Sequence, residues 1–304
     1  MKPGGSRGKS CAAAGPEVLG MPLNSVLPDR GFFIPWRDGR GRLSPLRIAA
    51  LAAMLLPMLW PIWDWLHDEL GDLEEITDFT GRWALRFLLI SLAVTPMGRV
   101  LEWPRLFQLR RMLGLGALGW VGLHVALYVV DQDGMLGKIV EEISRRFYLT
   151  IGFVAVLGLL VLALTSTDGW VRYLGRGWKR LHRIVFPLAV LAVLHAMIQA
   201  KSNASEPLVM AGLLLWLVVW RLLPKPLALG VWLLAWAALL VGFATAGLEY
   251  LWYANATKLP AARIFMANFN LDLAPRPALA VMLIALILPA LLMVQRLAGR
   301  RHPA

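Results

Sequence analysis

Two histidines, His124 and His195, are the residues of this sequence whose type and setting could do chemistry. Each lies deep in an apolar run, Arg110 to His124 (RRMLGLGALGWVGLH) and Arg180 to His195 (RLHRIVFPLAVLAVLH). An ionisable side chain inside a membrane-length apolar run is costly and marks a functional site by default. With entry at Met112 and at Leu181, His124 lies about 18 Å and His195 about 21 Å in from the same side, at a rise of roughly 1.5 Å per residue. Two neutral imidazoles at one level on facing helices are what a haem iron needs at its two poles, because the porphyrin nitrogens fill the plane. For either histidine alone, a hydrogen bond to a carbonyl or a neighbouring helix is an equal reading. Their matched depth favours the ligand pair.

The elements that position such a pair must cross a membrane. The 304 residues are 58% hydrophobic with 14 Trp, and the apolar residues come in long blocks, which gives a polytopic membrane protein. The net charge of +12 would suggest nucleic acid in a soluble chain. Here it follows from basic loops, so nucleic acid is discounted. The single cysteine, Cys11, excludes an internal disulfide, a four-cysteine cluster and a thiolate zinc site. With no C-x-x-C-H, haem would be held noncovalently, as a b-type.

Eight apolar segments are expected: Leu46 to Leu66, Trp83 to Pro96 extended backwards through TGRWALR, Met112 to Val130, Leu149 to Ser166, Leu181 to Ala200, Pro207 to Leu223, Pro226 to Ala246 and Ala278 to Leu297. The expected architecture is an all-α polytopic bundle: a basic, largely disordered tail over 1–45, a six-helix haem-binding core over 46–223, and two further transmembrane helices over 224–304. Met21 is a candidate start. Arginines before Arg47 and acids from Asp64 to Asp78 put both termini in the cytoplasm. The segment from Glu249 to Pro277 is expected to hold an interfacial helix.

Four arginines join the candidate site. Arg82 and Arg86 share a helix face at the outer end, where they could neutralise haem propionates or meet lipid phosphate. Arg110 and Arg111 lie in the basic inner loop just before the third segment. A third histidine, His182, opens the fifth segment about 20 Å from His195. It could bind a second iron, hydrogen-bond a quinone or flavin, or cap the helix beside an anion site. Thirteen residues leave it roughly 140° from the face of His195, unless Pro187 kinks the helix. At the matching position of the third helix stands Arg110, not histidine.

Several motifs resemble a known family. TGRWAL (Thr80 to Leu85), TPMGRV (Thr95 to Val100), RRMLGL (Arg110 to Leu115), RRFYLTIG (Arg145 to Gly152) and above all TSTDGWVRYLGRGWKRLHRIVFPLAVLAVLH (Thr165 to His195) look like the MsrQ (YedZ) family, within the ferric-reductase-like transmembrane superfamily. The resemblance covers about Arg47 to Leu223. It implies a bacterial inner-membrane subunit with haem b, one or two, and FMN. It implies electrons taken from the quinone pool or a cytoplasmic flavin reductase and passed to a periplasmic molybdopterin-containing catalytic subunit that reduces protein methionine sulfoxide. The family's three histidines fall on His124, His182 and His195. Arg110, where the wider superfamily has a fourth histidine, leaves the haem count open, and the last two segments extend past the family core.

The sequence holds no G-x-G-x-x-G after a strand and no P-loop, so a hydride donor would be handled by a partner. An electron-transfer subunit is the leading reading. A stand-alone quinol or ferric reductase is the alternative, and a transporter with structural histidines comes last.

Overall fold

A bilayer core offers no water to backbone groups, so apolar blocks of this length fold as helices that satisfy their own hydrogen bonds. The computed structural model describes residues 17–18, 21–22, 35–37, 41–67, 72–200, 203–224, 227–270 and 275–299. Within them it is an all-α polytopic bundle with eight stretches long and apolar enough to span a membrane. The expectation of a disordered tail falls largely outside the described residues. Apart from the two-residue pair Glu17–Val18 with Met21–Pro22, no sheet occurs among the described residues.

The first span is formed by α1 (Pro45–Leu55) and α2 (Leu59–Leu66), joined by a tight turn, Leu56–Met58, that contains Pro57. His67 follows it, exposed, with Nδ1 2.8 Å from the Trp63 carbonyl and its ring stacked on Trp63. Next comes α3 (Leu73–Val100), the most buried of the spans. Glu74 and Glu75 in its first turn and Arg99 in its last match the helix dipole at both ends. The turn Pro104–Gln108 leads into α4 (Leu109–Asp131), and the amphipathic α5 (Leu136–Arg145) precedes α6 (Phe147–Leu164). Two short helices, α7 (Asp168–Leu174) and α8 (Arg176–Leu181), are separated by Gly175 at φ 48°, in the region that favours glycine.

The fifth span then breaks at a tight turn, His182–Ile184, before α9 (Val185–Gln199). Pro187 accounts for the break: without an N–H it cannot bond the Arg183 carbonyl one turn back. His182 is therefore outside the helical register of His195. Last come α10 (Ser205–Leu222), α11 (Val231–Ala256), the short α12 (Ala261–Ala267) and α13 (Pro277–Leu297).

Packing pairs α3 with α4, α6 with α9 and α11 with α13. One apolar cluster runs through α3, α4, α9 and α10, including Leu88, Leu92, Ala117, Trp120, Ala189 and Leu208. A second joins Trp216 and Trp220 of α10 to Leu234, Val241, Val281 and Leu292 of α11 and α13.

Two spans differ from expectation. The second runs a full 28 residues, because its arginines have a carboxylate partner on α10. The seventh continues ten residues past Ala246 and carries Glu249 into the bundle at 0% exposure. Burial is possible because Arg276 Nη2 donates to one carboxylate oxygen at 2.6 Å and Asn268 Nδ2 donates to the other. Asn268 also accepts from the Ala278 N–H at 3.1 Å, so the same cluster fixes the start of α13. After α11, the described residues of the segment expected to hold an interfacial helix form the seven-residue α12.

Candidate functional site

His124 projects from α4 toward α3, and its Nδ1 lies 2.8 Å from the Thr77 carbonyl. His195 projects from α9 toward α6, and its Nδ1 lies 2.8 Å from the Tyr148 carbonyl. A carbonyl only accepts, so each Nδ1 holds the proton and donates, which leaves Nε2 as a lone-pair donor on both rings. Orientation by a backbone carbonyl through the second ring nitrogen is the usual support of a metal-ligating histidine.

Both rings also rest on glycine. A Cβ at Gly81 would stand 3.0 Å from Nδ1 and Cε1 of His124, and one at Gly152 would stand 2.8 Å from Nδ1 of His195. Gly81 follows Thr77 by one helical turn, as Gly152 follows Tyr148. The repetition extends further: carbonyl and histidine are 47 residues apart in both halves. Two helix pairs, α3 with α4 and α6 with α9, thus each hold a histidine against a carbonyl and a glycine in the same way. Gly81 lies in TGRWAL, and Tyr148 and Gly152 lie in RRFYLTIG, but nothing in either motif by itself marks this role.

The two ring centroids lie 6.3 Å apart with the planes at 81°. Two imidazole–metal bonds of about 2 Å, each lengthened by the roughly 1.1 Å from nitrogen to ring centre, put two axial rings about 6.2 Å apart across one metal. The spacing therefore fits one iron between them. No group of three or more His, Cys, Asp or Glu among the described residues could hold a metal ion. A two-histidine site suits a metal that arrives with its own equatorial ligands, as haem iron does.

Arg82 and Arg86 converge on Glu206 at the start of α10. Arg86 Nη2 donates to Oε1 at 2.5 Å, Arg82 Nε lies 3.6 Å from Oε2, and the Arg86 guanidinium stacks 4.5 Å from the Trp83 ring centre. Beside them, Trp60, Phe79, Trp83, Phe87 and Trp120 form one aromatic cluster with neighbouring centroids 4.9–6.4 Å apart. Glu206 was not foreseen as the partner.

At the opposite end, Arg111 Nη1 donates to Asp168 at 2.8 Å, tying the start of α4 to α7. Arg110 is within electrostatic reach of Arg99, Arg221 and His182. Arg99 stacks over Trp220 and Arg221 over Phe186. His182 is held apart from the central pair. Its Nδ1 faces the Trp178 carbonyl at 3.2 Å, its Nε2 faces Ser166 Oγ at 3.2 Å, and its ring stacks on Trp178 at 3.9 Å. Ligation through Nε2 would require Ser166 to give way.

Comparison with known proteins follows the same residues. Positions 80–193 match the family described as ferric reductase like transmembrane component. A protein of Xanthomonas euvesicatoria pv. vesicatoria named protein-methionine-sulfoxide reductase heme-binding subunit MsrQ is 45% identical over 182 residues, covering 58% of this chain and 84% of its own. The protein of the same name from Rhodospirillum rubrum is 44% identical over 189 residues, covering 61% of this chain and 90% of its own. No solved structure matches. At that identity and coverage, the chain belongs to the MsrQ family of protein-methionine-sulfoxide reductase heme-binding subunits.

Proposed function

We propose that the chain is the haem b subunit of a protein-methionine-sulfoxide reductase in the bacterial inner membrane, with both termini in the cytoplasm. It passes electrons from the quinone pool or a cytoplasmic flavin reductase to a periplasmic molybdopterin-containing catalytic subunit, which reduces methionine sulfoxide in proteins. The observation that carries this is the pair His124 and His195, spaced for one iron and each oriented by a backbone carbonyl.

In this reading the two Nε2 atoms hold the haem, and a bound haem supplies a one-electron couple within the bilayer. Thr77 and Tyr148 keep each imidazole in the tautomer that can ligate. The pair lies toward the end of the bundle that carries Asp72, Glu74 and Glu75: His124 is seven residues from the end of α4, about 10 Å, and fifteen from its start, about 22 Å. That eccentric position suits delivery to an acceptor on the acidic side. At the basic end, Arg110, Arg111 and His182 are offered to FMN, a quinone or a second haem.

The test uses the full chain in membrane vesicles. Reduction by a quinol or by a flavin reductase with NADH, followed by methionine sulfoxide reduction only when the molybdenum subunit is added, is the expected result. The match to ferric-reductase-like proteins favours one alternative, a stand-alone quinol or ferric reductase. Turnover of ferric iron with no second protein would select it.

A further inference from the structure

Resting on the two-histidine haem reading, we propose that Gly81 and Gly152 are positioning residues that hold the axial imidazole planes close to perpendicular. In each half of the site a carbonyl and a glycine one turn apart form a cradle. The carbonyl fixes Nδ1, and the bare glycine lets the ring lie against the helix backbone.

Rotation of an axial imidazole about its metal bond would swing Nδ1 off the carbonyl, and the helix surface beside the glycine limits the tilt. With both rings so held, the angle between them is 81°. That angle acts on the metal. Parallel axial imidazoles both donate to the same iron d orbital and split the pair, whereas perpendicular ones donate to different orbitals and leave the pair nearly degenerate. A haem ligated here is therefore expected to give a highly anisotropic low-spin ferric EPR signal, dominated by one large g value, in place of an ordinary rhombic one. Ligand orientation is in this way a lever on the iron that no ligand identity reveals.

A methyl group at either glycine breaks the cradle. At Gly152 the added Cβ meets Nδ1 at 2.8 Å, closer than real Cβ contacts come, and at Gly81 it meets two ring atoms at 3.0 Å. Either the ring turns or the histidine retreats from the iron. Gly122, two residues before His124 on α4, has nothing within 4 Å of an added Cβ and is the control.

The experiment records ferric EPR and haem content for the full-length wild type, Gly81→Ala, Gly152→Ala and Gly122→Ala in detergent. The signal to read is the one lost in His124→Ala. Expected are an anisotropic signal in the wild type and in Gly122→Ala, and in the two cradle variants a shift toward a rhombic signal or a high-spin fraction. An ordinary rhombic wild-type signal overturns the proposal even if neither variant can be purified. Haem-replete cradle variants with unchanged spectra overturn it too. A wild type without haem would instead defeat the reading on which it rests.

Discussion

His124 and His195 stand with ring centres 6.3 Å apart and planes at 81°, although 71 positions separate them along the chain. Neither ring is positioned by its own helix alone. Each is oriented by a carbonyl on a partner helix, Thr77 on α3 and Tyr148 on α6, so the site exists only when both helix pairs are packed.

Ligation gives the first prediction. If His124 and His195 are the ligands proposed above, His124→Ala and His195→Ala would each leave the iron with one protein ligand, so the main low-spin Soret band of the purified protein should be lost in both. His182→Ala should keep it, because His182 contacts Ser166 and Trp178 and neither central histidine. Absorbance spectra of the three variants check this, and retained low-spin spectra in both of the first two would refute the assignment.

Glu206 gives the second. It is the one carboxylate, among the described residues, that faces both Arg82 and Arg86 across α3 and α10. Glu206→Gln leaves two guanidinium groups half-buried and uncompensated, at a cost of about 1–2 kcal/mol after allowing for partial solvent screening. The apparent melting temperature should fall by a few degrees, and Arg86→Gln should cost more than Arg82→Gln because Arg86 makes the shorter contact.

The C-terminal helices give the third. Glu249 is fully buried against Arg276 and Asn268, and removing one partner of a buried pair typically costs about 3–5 kcal/mol. Glu249→Gln should therefore destabilise strongly, while the double change Glu249→Leu with Arg276→Met should recover much of the loss. Haem spectra of whatever folds should match the wild type, since the cluster lies in α11 and the loop before α13. Thermal unfolding of the three proteins decides it.

How far the sequence alone could reach follows from what kind of atom does each task. The eight spans were legible because bilayer thickness demands long apolar blocks. The two central histidines were legible because an imidazole in such a block is conspicuous. Thr77 and Tyr148 were not, since they act through backbone carbonyls, which every residue has. Glycine roles at 81 and 152 required knowing which ring lies over them. Arg82 and Arg86 were recognised as a pair, but their carboxylate is 120 residues from Arg86, and only the packing of α10 on α3 brings it there. Glu249 was placed in the segment after the seventh span, because its partner Arg276 lies 27 residues on and only packing brings the two together. Pro187 was noted as a possible kink, and it is the break at His182–Ile184 that makes an angle counted along one ideal helix inapplicable to His182.

The most direct measurement is the reduced-minus-oxidised absorbance spectrum of the detergent-purified full-length protein, with haem extraction and flavin quantitation on the same sample. A haem b subunit ligated at His124 and His195 should show b-type Soret and alpha bands, haem at one or two per chain, and loss of the low-spin signal in His124→Ala. A protein expressed with ample haem precursor that contains none, while remaining folded and monodisperse, would contradict it.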